Sequence, residues 1–185
     1  MRLFIAFDID DGIRERIARF MEGVRGFAPD TRWVNPESLH VTLKFIGEWP
    51  EEKLPQLEAA LRSMPRRDPI PLEVRGLGWY PNPRNPRVFW VGVHDTNGLT
   101  NLSRDIETAL APLGIAKETR PFAAHLTLAR IKDPTPLDAL RGAIEKLESA
   151  EYGAFNVTCF HLYRSQPGAA GSIYTKLLEC RFRPA

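Results

Sequence analysis

The chain has 185 residues, of which 43% are hydrophobic and 26% charged; that balance builds a globular core and excludes disordered, collagen-like and low-complexity classes. Twenty-five Lys and Arg against 23 Asp and Glu leave a formal net charge of +2, which excludes a polycationic coat for duplex DNA. A local basic groove is still available from Arg84 with Arg87, Arg120 with Arg130, and Arg164 with Lys176.

Residues 3–8 read as a strand. Their apolar run is too short for a signal peptide or a membrane span before Asp8, Asp10 and Asp11 intervene, so a cytoplasmic protein is expected. Ile13, Ile17, Phe20, Met21 and Val24 then recur at helical spacing, with the aspartates available as caps. Strands are expected at 32–35 and 39–46, separated by Pro36 and closed as a pair by Gly47. A second helix begins near Glu51 with Leu54, Leu57, Leu61 and Met64 on its stripe, and Pro65 stops it. Strands at 70–74 and 87–93 flank the Pro-rich, basic loop of residues 81–86. A third helix presents Leu99, Leu102, Ile106, Leu110 and Leu113 and ends at Gly114. Another strand follows around His125, then a helix with Leu137, Leu140, Ile144 and Leu147, then strands at 154–163 and 173–182. The last two hold Cys159 and Cys180, with no CxxC spacing and no His cluster beside them, so buried free thiols are expected and no metal site or disulfide. Interleaved helices and hairpin-like strands without a Gly/Ser linker predict an α+β protein with antiparallel sheets, one bilobal domain over residues 1–185.

One short pattern occurs twice. His40-Val41-Thr42-Leu43 and His125-Leu126-Thr127-Leu128 lie 85 residues apart, close to half the chain. Leu39, Val41, Leu43 and Phe45 alternate with polar residues, as do Leu126 and Leu128, so each copy is patterned as a strand with its apolar residues in the core. Residues i and i+2 share a face, so each copy turns one imidazole and one hydroxyl, roughly 6–7 Å apart, to the same surface. Duplication predicts two such strands facing each other across a cleft. Phosphodiester chemistry needs one neutral imidazole to take a proton and one protonated imidazole to give one. Threonine hydroxyls can donate hydrogen bonds to the non-bridging oxygens. Arg130, three residues past Thr127, falls on the opposite face by strict alternation and joins the site only if the strand ends or bulges there; its forked guanidinium would suit a phosphate.

Competing chemistries lack their residues. Neither histidine has a carboxylate or second histidine at metal-ligand spacing. Asp8 and Asp10 follow a strand as in DxD phosphatases, but the later paired acidic motif is missing, and helix capping accounts for them. No GxxxxGK, GxGxxG or GxSxG segment is present. His94 and His161 have no paired motif and read as structural or surface residues.

The paired HxTx motifs resemble those of the 2H phosphoesterase superfamily. The segments 2–6, 39–47, 83–90 and Arg120-Pro121-Phe122 before His125 to Arg130 resemble bacterial and archaeal RNA 2′,3′-cyclic phosphodiesterases, also called 2′–5′ RNA ligases. The resemblance implies a bilobal, pseudo-duplicated fold with two antiparallel sheets lining a central cleft and helices outside. It implies hydrolysis of a terminal 2′,3′-cyclic phosphate to a 2′-phosphate without cofactor or metal, with weak 2′–5′ ligation as the reverse. It makes His40 the proton donor and His125 the acceptor, with Thr42, Thr127 and Arg130 on the phosphate; the near-symmetric motifs themselves leave donor and acceptor open. RNA ends bearing the cyclic phosphate, tRNA fragments among them, are the expected partners of a monomer. Phe45, Phe122 and Tyr174 are candidates to stack on the terminal base. Two alternatives stay open: a cyclic phosphodiesterase of a small nucleotide, and a non-catalytic protein that binds RNA ends.

Overall fold

The computed structural model describes residues 1–132, 135–147 and 149–184. Nine strands and four α-helices follow one another as β1 (Arg2–Asp8), α1 (Asp11–Val24), β2 (Arg32–Trp33), β3 (His40–Glu48), α2 (Leu54–Arg62), β4 (Ile70–Tyr80), β5 (Val88–His94), α3 (Gly98–Leu110), β6 (His125–Arg130), α4 (Asp138–Glu145), β7 (Glu151–Val157), β8 (Cys159–Gln166) and β9 (Ile173–Arg181). They form a four-stranded sheet ordered β3-β1-β8-β9 and a five-stranded sheet ordered β2-β6-β5-β4-β7, with every pairing antiparallel.

The duplication is visible in this order. β1, α1 and β3 in the first half correspond to β5, α3 and β6 in the second, so that β3-β1-β8-β9 matches β6-β5-β4-β7. β4, the last strand of the first half, is built into the sheet of the second. One continuous core joins Leu3, Ile5 and Phe7 of β1 to Phe89 and Val91 of β5 and to the buried stripes of α1, α2 and α3. Each fully buried Leu, Ile or Phe contributes about 1.5–3 kcal/mol. No helix among the described residues is long and apolar enough to cross a membrane.

Local signals operate largely as read. Asp10 caps α1, its carboxylate accepting from the Gly12 and Ile13 amides. Asp8 does not cap; it is the last residue of β1, paired with His40. Gly114 takes the left-handed conformation that ends the helical segment after α3.

Pairing differs from expectation in two places. The segments around 32–35 and 39–46 do not pair with each other: β2 joins β6 and β3 joins β1. The expected strand 154–163 is two strands, β7 in one sheet and β8 in the other, with the chain crossing over at Thr158. Both differences are choices of distant partner, which period-two patterning does not encode.

Each motif strand carries a bulge. In β3, Ala6 pairs with Thr42 and Ile5 with Lys44, leaving Leu43 as the extra residue. The face therefore reverses: Lys44, not Phe45, turns inward and is buried, while Phe45 is 61% exposed. The Lys44 ammonium is held by the Glu107 carboxylate at 2.8 Å and the Ala116 carbonyl at 2.6 Å. Glu107 also accepts the Glu118 amide, so this pair ties β3 to α3 and to the segment that leads to His125. Glu107→Gln strands a buried ammonium and is expected to lower stability by about 3–5 kcal/mol. Lys44→Met leaves only the partly exposed Glu107 and should cost clearly less. Equal, small losses in chemical denaturation would show that the pair does not brace the fold.

Candidate active site

β3 and β6, the two strands that carry the motifs, approach each other at the seam between the sheets. His40 and Thr42 alternate with buried Val41 and Leu43, and His125 and Thr127 with buried Leu126 and Leu128. In β6, Trp90 pairs with Thr127 and Phe89 with Ala129, which makes Leu128 the extra residue. This bulge returns Arg130 to the face of Thr127. The condition that strict alternation placed on Arg130 is met. By the same arithmetic Phe45 occupies in β3 the place that Arg130 occupies in β6, five residues after the histidine. The pseudo-symmetric cleft thus has a cationic arm on one side and an aromatic arm on the other.

Both histidines are anchored alike. His40 Nδ1 is 2.7 Å from the Ser38 carbonyl, and His125 Nδ1 is 3.0 Å from the Ala123 carbonyl. A carbonyl only accepts, so Nδ1 carries the hydrogen in each ring and Nε2 is left as the working nitrogen. Their surroundings differ. His40 sits 5.0 Å from the Phe4 ring and 5.2 Å edge-on from Tyr174, whereas His125 has Trp90 at 6.3 Å. Burial lowers the His40 pKa below its usual 6.5; the Ser38 carbonyl and Asp8 carboxylate oppose this, and the Arg130 charge adds to it.

Sequence reasoning did not find Asp8 and Tyr163 behind His40. Asp8 accepts hydrogen bonds from the Tyr163 hydroxyl and from Lys176 Nζ, the latter at 2.6 Å. Burial raises the Asp8 pKa, but these two donors outweigh it and hold the carboxyl below its usual value. The ionised carboxylate in turn favours a charged His40. A cavity of about 590 Å³ opens here, lined among others by Asp8, Ser38, His40, Tyr174 and Lys176. Alternation in β1 was the available signal: Phe4, Ala6 and Asp8 share one face opposite Phe45, Thr42 and His40.

Other candidates separate. Lys176 pairs with Tyr163 and Arg164 with Thr175, so Arg164 and Lys176 look to opposite faces and do not form one basic patch. Arg120 donates to the Tyr80 hydroxyl. Phe122 packs on the core, while Phe45 and Tyr174 are in the cleft. His94 Nε2 lies 3.1 Å from the Arg75 carbonyl, with its ring over Gly92, the pairing partner of His125. The strand pairing brings His161 and Glu179 beside Cys159, with one ligand atom of each within 4.8 Å of the others. Spacing along the chain concealed this trio because Glu179 comes from the next strand. Its carboxylate is already held by Arg181 at 2.8 Å and by His161 at 3.5 Å.

Two motif strands, each with a bulge just after its threonine, and two carbonyl-anchored imidazoles describe a repeated unit, and comparison with known proteins finds the same repeat. The family model for LigT-like phosphoesterases matches twice, at residues 7–90 and 91–174. Proteins named RNA 2′,3′-cyclic phosphodiesterase from Archaeoglobus fulgidus and Methanothermobacter thermautotrophicus are 37% and 35% identical to the chain. The alignments cover 96% of it and 98% and 96% of those proteins. The crystal structure of TT0787 from Thermus thermophilus superposes with a TM-score of 0.83 at 31% identity, covering 99% of this chain and 98% of that one. That of E. coli LigT in complex with 3′-AMP gives 0.80 at 28% identity with the same coverage. With both halves matched and nearly the whole chain aligned, this protein belongs to the LigT-like phosphoesterase family.

Proposed function

We propose that the chain is an RNA 2′,3′-cyclic phosphodiesterase, hydrolysing a terminal cyclic phosphate to a 2′-phosphate. The observation that carries this reading is the pair of imidazoles on two strands that approach each other across the sheets, each with Nδ1 tied to a carbonyl and Nε2 left as its working nitrogen. The curated relatives bear the same activity in their names. His125 Nε2 takes a proton from water as its oxygen bonds to phosphorus. The P–O3′ bond breaks, and His40 Nε2 gives its proton to O3′. Thr42 and Thr127 donate to the non-bridging oxygens, and Arg130 places its fork on them. Imidazoles move both protons, so the step as written uses no metal. With water replaced by a 5′-hydroxyl, the same step forms a 2′–5′ linkage. RNA ends are the substrates on this reading, tRNA fragments among them, acted on in the cytoplasm by a single bilobal chain.

The test is turnover of an RNA oligomer ending in a 2′,3′-cyclic phosphate, with product analysis, in EDTA. A 2′-phosphate product formed undiminished by the chelator is expected. Activity lost to EDTA and restored by zinc or manganese would overturn the two-histidine mechanism, and tight binding without turnover would favour an RNA-end-binding protein.

The donor role has a pH signature. Burial lowers the His40 pKa, so above that lowered value the free protein holds His40 uncharged. A bound phosphate anion raises it again. Binding then takes up a proton, and affinity falls as pH rises from the free towards the bound value, by up to tenfold per unit. We expect KM to climb with pH while kcat holds, and calorimetry in buffers of different ionisation heat to show uptake of up to one proton. A flat KM with no uptake would remove His40 as the donor.

A further inference from the structure

On the five-stranded sheet, Gly78, Trp90 and Thr127 form one cross-strand row on the cleft face, and Tyr80, Val88 and Arg130 form the next. Gly78 does not have the positive φ that would call for glycine. A Cβ built on it would lie 2.1–2.6 Å from three atoms of the six-membered ring of Trp90. Gly78 is therefore glycine because the indole lies on its backbone. Gly92, the pairing partner of His125, has no room for a side chain for another reason: a Cβ there would be 2.6 Å from the Arg75 carbonyl oxygen and 2.8 Å from Nε2 of His94. The indole thus lies on the bare backbone of Gly78, next to both Thr127 and His125, whose ring centroid is 6.3 Å away, and it keeps part of its surface exposed.

The aromatic rings on the other sheet are arranged differently. Phe4 and Tyr163 stack on each other at 5.1 Å and 10°, and Tyr174 meets Phe4, His40 and Tyr163 edge-on. These rings are engaged in packing around His40. Phe45 is open, 61% exposed and tilted against Phe4, and it lies three residues along β3 from Thr42. An indole offers the largest π face for a base, and stacking is tolerant of base identity.

Resting on the phosphodiesterase reading, we propose that Trp90, seated on Gly78, is the platform on which the base of the nucleotide bearing the cyclic phosphate stacks while Thr127 and Arg130 hold its phosphate. The alternative aromatic, Phe45, then contributes little to base binding. Gly78 acts as a positioning residue, since a side chain there lifts the indole off the sheet.

The test compares adenosine 2′,3′-cyclic phosphate with methyl riboside 2′,3′-cyclic phosphate, which has the same reacting group and no base. Wild type is expected to favour the nucleotide in kcat/KM, and Trp90→Leu to reduce that preference about tenfold, mainly through KM. Trp90→Phe should restore most of it, Gly78→Val should behave like Trp90→Leu, and Phe45→Leu should keep the preference. A preference unchanged in Trp90→Leu, or lost in Phe45→Leu instead, overturns the proposal. So does an equal fall for both substrates, which marks a purely structural tryptophan. Failure of the wild type to turn over either compound would instead refute the phosphodiesterase reading itself.

Discussion

Alanine at either His40 or His125 is expected to reduce kcat on the cyclic phosphate by a factor on the order of 10²–10⁴, the usual worth of a positioned general acid or base. Each ring is fastened through Nδ1 to a carbonyl two residues back in its own chain segment, so its removal breaks no long-range bond and the fold should survive. The two imidazoles serve one concerted displacement: without the donor, O3′ leaves as a poor anion, and without the acceptor, water attacks with its proton still on. The double variant should therefore be scarcely slower than the worse single one. Thr42→Val and Thr127→Val each remove one hydrogen bond to a charged oxygen, about 1.5–3 kcal/mol, and should cost less. Wild-type turnover by a well-folded His125→Ala protein would show that the second motif is structural.

Arg130→Met is expected to lower kcat/KM by about 10²-fold, since two charge-assisted hydrogen bonds of ~1.5 kcal/mol each are lost together. Arg130→Lys keeps the charge but not the planar fork, and should recover only part of the loss. A second readout separates phosphate binding from general packing. Arg130 is one of the influences that lower the His40 pKa, so its removal lets that pKa rise in the free protein. Less proton uptake on phosphate binding should follow, with a KM that stays low to higher pH. An Arg130→Met protein with unaltered kcat/KM would take the guanidinium off the phosphate, and unaltered uptake would show that it does not act on His40.

Much of this site is legible in the residues alone because its chemistry is local. A histidine and a threonine two positions apart share a strand face whatever that strand pairs with. Likewise the Asp10 cap and the helical stripes depend on neighbours within a turn or two. The two copies of HxT were informative for the same reason, and the spacing of half a chain pointed to duplication. Arg130, Phe45 and Lys44 were not legible in this way. Their faces depend on a single extra residue in each strand, Leu128 and Leu43, and that bulge exists only against β5 and β1. Asp8 reads along the chain as one more acidic residue before a helix, and it becomes the partner of His40, Tyr163 and Lys176 only when β3, β8 and β9 assemble beside β1. The division of residues 154–163 between two sheets has the same origin. Side-chain alternation is a property of one strand, decided by backbone stereochemistry, and it is written in the sequence. Which strand lies alongside, and in what register, is decided by the burial of faces contributed from far along the chain, up to the 168 residues between Asp8 and Lys176, and only the folded chain brings those faces together.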